Sequence, residues 1–162
     1  LIALPCLIFA EFTDYLDGHY ARKKNEVSDF GKLFDPFADV ILHLTTFVCF
    51  MKSANPEISY LPVVILLLIM LREFSQNFLR MVAAKKGVAI AARKGGKFKT
   101  VMYVVSEFYA LFLEILVRTE KIPSNWQTLK AISLVLFIVC VVCSYVSFID
   151  YLVHFGSTLK GE

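Results

Sequence analysis

The chain is short of most things that a soluble domain of 162 residues carries. Charged residues make up only 19% of it against 57% hydrophobic, with a mean hydropathy of +0.64, too apolar for a surface that must face water all round. Low-complexity tracts, repeats and Pro/Gly-rich linkers are missing, which argues against disorder and against a second domain. Cysteine is too sparse for a disulfide scaffold: Cys6 and Cys49 read as small buried hydrophobes. Cys140 and Cys143 form a C-x-x-C inside an apolar run with no further thiol pair, a context that suits neither zinc nor redox chemistry. No alternating apolar pattern supports a membrane β-barrel. Between Arg80 and Lys99 there is no acid at all.

What is present is long apolar stretches. Crossing a bilayer core of roughly 30 Å takes about 20 mostly apolar residues in a helix. Five segments have that length: Leu1 to about Arg22, Phe30 to Met51, Ile58 to Val82, Lys97 to Arg118, and Thr128 to His154. Backbone polar groups in hydrocarbon must be satisfied within the segment, so the expected fold is all-α. It is an integral membrane bundle of five transmembrane helices forming one domain over residues 1–162. The chain opens on Leu1, inside an apolar stretch and without signal-peptide features; the expectation is an N-terminally incomplete chain with one or more helices upstream.

The cations set a topology. Arg22, Lys23, Lys24 and Lys32 flank the first connection, and Arg80, Lys85, Lys86, Arg93, Lys94, Lys97 and Lys99 crowd the third. The second and fourth connections are mixed, with Lys52 beside Glu57 and Arg118, Glu120, Lys121 and Lys130 together. The positive-inside rule therefore puts the first and third connections and the C-terminus in the cytoplasm and Leu1 on the far side. Lys85, Lys86, Arg93 and Lys94 read first as topology signals that touch anionic headgroups. No recognition module accompanies them, so nucleic acid is not an expected partner.

The acids cluster. The first segment ends in Asp14-Tyr15-Leu16-Asp17-Gly18-His19-Tyr20-Ala21-Arg22, and the second opens with Gly31-Lys32-Leu33-Phe34-Asp35-Pro36-Phe37-Ala38-Asp39. In each, the helical offsets put the acids on one face, and the short connection makes the two helices antiparallel neighbours. Asp14, Asp17, Asp35 and Asp39 then converge at the cytoplasmic end of the bundle. Each acid near the bilayer centre costs about 2.5 to 3.5 kcal/mol on insertion scales, so the set calls for a compensating cation. Hard oxygen donors favour magnesium or manganese. Gly18 and Gly31 allow close approach of the helices or a ligand, and Pro36 kinks or starts the second helix beside the acids. Pairing of all four acids with Arg22, Lys23 and Lys24 in interfacial water is the alternative, and the regular spacing weighs against it.

These residues fill, without a gap, the pattern Asp-x2-Asp-Gly-x2-Ala-Arg-x8-Gly-x3-Asp-x3-Asp, with Asp14, Asp17, Gly18, Ala21, Arg22, Gly31, Asp35 and Asp39 at its positions. A chance match is on the order of 10^-10 per frame at average residue usage. In this the chain resembles the CDP-alcohol phosphotransferase family, whose members typically have six membrane helices. The resemblance implies a CDP-linked lipid with its pyrophosphate on a pair of divalent ions, attack of an acceptor hydroxyl on the lipid-side phosphorus, and departure of CMP. It implies Asp14, Asp17 and Asp35 as metal ligands, with Asp39 as a further ligand or the catalytic base. Asp14, Asp17, Gly18, Ala21, Arg22 and Gly31 would contact the CDP-lipid.

A second set narrows the acceptor. Arg72-Glu73-Phe74 through Leu79-Arg80, then Gly96-Lys97-Phe98-Lys99-Thr100, is similar to the branch of that family that makes phosphatidylglycerophosphate from CDP-diacylglycerol and glycerol 3-phosphate. Val40 departs from it, since that branch usually has Lys after the last Asp. Arg72 and Arg80, eight apart and roughly on one helix face, are the candidates for holding the acceptor phosphate, with Lys97 and Lys99 behind them. The alternative for Arg72 is pairing with Glu73 or snorkelling to the interface. His43, one turn after Asp39, reads as a hydrogen-bonded bundle histidine ahead of a partner for the base. Glu107 and Glu114, seven apart, line a cavity between helices or pair with Arg72, with the membrane interface as the alternative for Glu114.

The implied partners are CDP-diacylglycerol, glycerol 3-phosphate and membrane lipids; a homodimer is compatible with the pattern. The implied location is the inner (cytoplasmic) membrane of a bacterium. Rival readings keep the chemistry with inositol phosphate, serine or phosphatidylglycerol as acceptor, or make the acids the site of a divalent-cation transporter. The acids' position at one membrane face and the lack of paired broken helices weigh against transport.

Overall fold

The computed structural model describes residues 5, 8, 9, 12, 13, 29–55, 57–87 and 94–160. Among them are four helices and no strand: α1 (Asp29–Cys49), α2 (Val63–Lys85), α3 (Lys94–Arg118) and α4 (Trp126–Lys160). The chain divides into two compact units, Leu1–Pro36 and Phe37–Glu162. In the first, the Thr13 hydroxyl donates to the Phe9 carbonyl one turn back, and Ile8, Phe9 and Phe12 are exposed. The segment from Leu1 to Arg22, expected as a helix, otherwise lies outside the described residues.

In the second unit, α4 packs against both α3 and α2. The exposed side chains of α4 include Val135, Ile138, Val142, Val146, Ile149 and Val153, one stripe at helical spacing. Its buried face holds Ser133, Phe137, Cys140, Ser144 and Tyr151. On α2 the same inversion is stronger: Val64, Leu67, Leu71, Phe74, Phe78 and Met81 face outward while Arg72, Glu73 and Gln76 are buried. Small and polar residues between helices with branched apolar ones outside is the distribution of a bundle whose outer face meets hydrocarbon. The centre is aromatic. Phe47 of α1 meets Tyr103 of α3 and Phe137 of α4 edge-on, at ring-centre distances of 5.2 and 5.4 Å.

Two described helices are long and apolar enough to cross a bilayer, within Gly95–Arg118 and Trp126–Phe155; Pro36–Cys49 is a shorter apolar stretch. The expectation of five such spans is therefore corrected for the described residues. The 23 residues of α2 are long enough, but Arg72, Glu73 and Arg80 lower its hydropathy, and α1 opens with acids around an interior proline. Pro36 does not start α1, which begins at Asp29.

Other boundaries move for local reasons. Helix α2 begins at Val63, not Ile58, because Pro62 stands extended at its N-cap and residues 50–61 are folded on themselves. Ser53 N–H donates to Ile58 O and Tyr60 N–H to Phe50 O, which buries Ile58, Tyr60 and Leu61 without a helix. At its other end α2 runs past Val82 to Lys85, where Gly87 at φ 76° accepts the left-handed conformation that ends a helix. Helix α3 starts at Lys94, before its glycines: a Cβ built on Gly95 would lie 3.6 Å from Ser147 of α4, so tertiary contact offsets the poor helix propensity of glycine. Cys49 is exposed, contrary to expectation, because the inward positions beside it belong to Phe47 and Phe50.

The loop between α1 and α2 is tied to the end of α3 by Glu114. Its Oε2 accepts from Ser53 Oγ at 2.6 Å and Tyr60 OH at 3.1 Å, and its Oε1 from Ala54 N–H at 3.0 Å and Arg118 Nε at 2.7 Å. Burial, with the adjacent carboxylate adding to it, pushes Tyr60 up to about 12, so its hydroxyl remains a donor at physiological pH. Glu114→Ala should thus cost about 3 kcal/mol, since it strands several donors at once. Arg118→Ala, on a side chain 59% exposed, should cost no more than about 1 kcal/mol. Thermal unfolding in detergent, with hydrogen exchange of residues 50–61, checks this; equal effects of the two variants would contradict it.

Candidate functional site

Helix α1 carries Gly31, Asp35 and Asp39 at successive turns. The Asp39 side chain is half-buried; of Gly31 and Asp35 only the helical backbone is described. Asp14, Asp17, Gly18, Ala21 and Arg22 lie outside the described residues. Among the described residues no three His, Cys, Asp or Glu side chains gather as a metal site. The part of the donor set that α1 carries is carboxylate only, which suits a hard divalent ion. His43, one turn beyond Asp39, pairs its Nδ1 with Glu107 Oε1 of α3 at 2.9 Å, with the Tyr103 ring edge-on to it at 5.5 Å. Glu107 therefore meets His43, not Arg72, and Glu114 serves the loop.

Beside Asp39 stands the polar face of α2. Residues 72, 73, 76, 77 and 80 fall on adjoining rows of one helix, and all bring polar atoms into the interior. Glu73 is the hub. Its Oε1 accepts from Arg72 Nη1 at 2.7 Å, Lys99 Nζ at 2.8 Å and Tyr103 OH at 2.8 Å. Arg72 also donates through Nε to the Ser144 carbonyl of α4 at 2.7 Å, and its guanidinium lies 5.9 Å from the Phe148 ring centre. Of the two alternatives for Arg72, the pairing with Glu73 is present, and at 3% exposure the side chain does not snorkel to an interface. Lys99 additionally sits 4.9 Å over the Tyr103 ring, while Lys97 is exposed.

Arg80 differs from Arg72. Its Nε is buried and finds no hydrogen-bond partner among the described residues, although the guanidinium is near enough to Asp39, Glu73, Tyr151 and Arg72 to interact with their charges. Here a fixed cation with open donor capacity stands by the last acid of the signature. Such a group is suited to an anion that arrives from outside the protein.

Sequence reasoning missed Tyr103 as a partner of Glu73 and gave no role to Gln76, Asn77 or Tyr151, whose Oε1, Nδ2 and hydroxyl are also buried without a partner. A signal existed for the first two. Polar residues spaced at helical offsets within an otherwise apolar span must face protein or a cavity, because hydrocarbon does not solvate them.

Comparisons with known proteins give the family. The sequence model of one family, CDP-alcohol phosphatidyltransferase, matches residues 1–156. A CDP-diacylglycerol–glycerol-3-phosphate 3-phosphatidyltransferase of Treponema pallidum (strain Nichols) is 38% identical over 154 residues, covering 94% of this chain and 69% of that protein. One of the same name from Bacillus subtilis (strain 168) is 30% identical over 145 residues, covering 76% of this chain and 72% of that protein. A third, from Mycoplasma pneumoniae (strain ATCC 29342 / M129 / Subtype 1), is 34% identical over 106 residues, covering 65% and 44%. No solved structure matches. With the unbroken acid signature in its sequence and a family match over nearly its whole length, the chain belongs to the CDP-alcohol phosphatidyltransferase family.

Proposed function

We propose that the chain transfers the phosphatidyl group of CDP-diacylglycerol to a hydroxyl of glycerol 3-phosphate, giving phosphatidylglycerophosphate and CMP. The new bond joins the acceptor oxygen to the lipid-side phosphorus, and the bond from that phosphorus to the bridging oxygen of the pyrophosphate breaks. The relatives' names support this reading, and one observation carries the choice of acceptor: the buried, unpartnered Nε of Arg80 next to Asp39. An acceptor phosphate brings an oxygen that can accept from this open donor.

In this reading Asp14, Asp17, Asp35 and Asp39 hold divalent ions, magnesium or manganese and two in number, which when bound screen the pyrophosphate and stabilise the leaving phosphate. Gly18, Ala21, Arg22 and Gly31 give the nucleotide room and contacts. Asp39 takes the proton of the acceptor hydroxyl. Arg80 holds the acceptor phosphate, and Arg72, Lys97 and Lys99 add positive potential, the first and last of them oriented by Glu73. The domain is an all-helical portion of a membrane bundle in the inner membrane of a bacterium, with this site on the cytoplasmic side.

An acceptor panel tests the function. With CDP-diacylglycerol and magnesium, CMP should be released with glycerol 3-phosphate and not with inositol phosphate, serine or phosphatidylglycerol. In the same assay Arg80→Ala should raise the KM for glycerol 3-phosphate about ten- to a hundred-fold while leaving that for CDP-diacylglycerol near its starting value. Release with serine or phosphatidylglycerol alone would discard the acceptor and keep the chemistry. Asp39→Asn should abolish turnover yet retain most CDP-lipid binding, measured by calorimetry or filter binding; near-normal turnover would remove Asp39 as the base. For orientation, Lys86→Cys should react with an impermeant thiol reagent only from the cytoplasmic side and Ser124→Cys only from outside. The opposite pattern would invert the topology.

A further inference from the structure

Among the described residues, four buried polar atoms stand unpartnered on the facing sides of α2 and α4: Gln76 Oε1, Asn77 Nδ2, Arg80 Nε and Tyr151 OH. Gln76 is 4% and Tyr151 5% exposed, so water does not cover either side chain. Buried polar groups without partners are uncommon in a folded protein, and several in one place mark a site that something else completes. They are neighbours. Gln76 and Arg80 are one helical turn apart, a separation of about 5 to 6 Å between Cβ atoms, and the Tyr151 hydroxyl is close enough to the Arg80 guanidinium for the two to interact.

Their chemistry is mixed in a way that selects the occupant. Arg80 Nε and Asn77 Nδ2 can only donate, Tyr151 OH can do either, and Gln76 Oε1 can only accept. A bare phosphate would satisfy the donors, but it would set its own oxygens against the Gln76 carbonyl. The carbonyl needs an O–H or N–H from the ligand. A group with phosphate oxygens at one end and a hydroxyl a short distance away meets all four.

Resting on the acceptor reading above, we infer that Gln76 is a specificity-determining residue that accepts a hydrogen bond from the secondary hydroxyl of glycerol 3-phosphate, while Arg80 and Tyr151 take its phosphate. The reacting primary hydroxyl is then left free for Asp39. Gln76 in this arrangement distinguishes a polyol phosphate from a simple alkanol phosphate.

The test compares two acceptors that share the phosphate and the reacting primary hydroxyl: glycerol 3-phosphate and 3-hydroxypropyl phosphate, which lacks the secondary hydroxyl. The full-length enzyme, with CDP-diacylglycerol and magnesium, should favour glycerol 3-phosphate by about ten- to a hundred-fold in kcat/KM. Gln76→Met, close in shape but without the amide oxygen, should lose about that factor with glycerol 3-phosphate and stay within about twofold with the analogue. Gln76→Glu, which keeps an acceptor oxygen at the same reach, should retain the preference even where overall rates fall, so the proposal stays testable if the Met variant folds poorly. Tyr151→Phe should weaken both acceptors alike. Equal use of the two acceptors by the unaltered enzyme, or a parallel loss on both in Gln76→Met with loss of preference in neither, would overturn the assignment. CMP release with neither phosphate, but with another acceptor, would instead overturn the acceptor reading and this one with it.

Discussion

One carboxylate oxygen, Oε1 of Glu73, organises the interior of this bundle. It draws Arg72 from its own helix and both Lys99 and Tyr103 from α3 onto a single point, and Arg72 passes the connection on to the backbone of α4 at Ser144. Three helices are thereby bound through one buried anion. The balance of charge is what makes this tolerable, because an isolated ionised group at such depth would cost several kcal/mol. The surplus is positive. Two cations face one carboxylate there, and Arg80 stands near with no partner for its Nε, so the interior is prepared for a further anion.

Around that hub the usual relation of inside to outside is reversed. Outer faces of α2 and α4 are Val, Leu, Ile, Phe and Met, whereas Ser, Cys, Glu, Gln and Arg lie between helices. Lipid tails compete equally for apolar side chains, so helices hold together through close packing and through polar contacts that hydrocarbon cannot replace. The His43–Glu107 pair and the Phe47–Tyr103–Phe137 cluster do this for α1 and α3, and Ser106 against Cys140 does it for α3 and α4. Cys140 and Cys143 are both free. Function follows from the same constraint: polar side chains kept dry by protein on all sides are held in place before substrate arrives, and reorganise little when it does.

Much of this was legible in the chain. The family signature could be read because a helix converts fixed spacing into a shared face, and Gly31, Asp35 and Asp39 do sit at successive turns of α1. The all-helical class followed from the demand that hydrocarbon places on backbone groups. Helix ends were legible only to within a turn. Ile58 to Leu61 looks helical by hydropathy, yet its backbone bonds go to Phe50 and Ser53, and the helix expected from Lys97 starts at Lys94, with Gly95 close to Ser147. Apolar length alone suggests five bilayer-spanning helices, but α2 interrupts its apolar run with Arg72, Glu73 and Arg80.

The sequence by itself thus determined the family to which the chain belongs, since residue type and spacing along a helix are local properties of covalent structure. It could not determine which of its cations is already engaged. Arg72 and Arg80 are alike in sequence, eight residues apart on one helix with the same side chain. Only the packing of α3 and α4 gives Arg72 a carboxylate and a carbonyl while leaving the Nε of Arg80, the amide oxygen of Gln76 and the hydroxyl of Tyr151 buried and open. Hydrogen-bond partners come from residues distant in the chain, and whether a buried polar group is satisfied depends on where those neighbours come to rest.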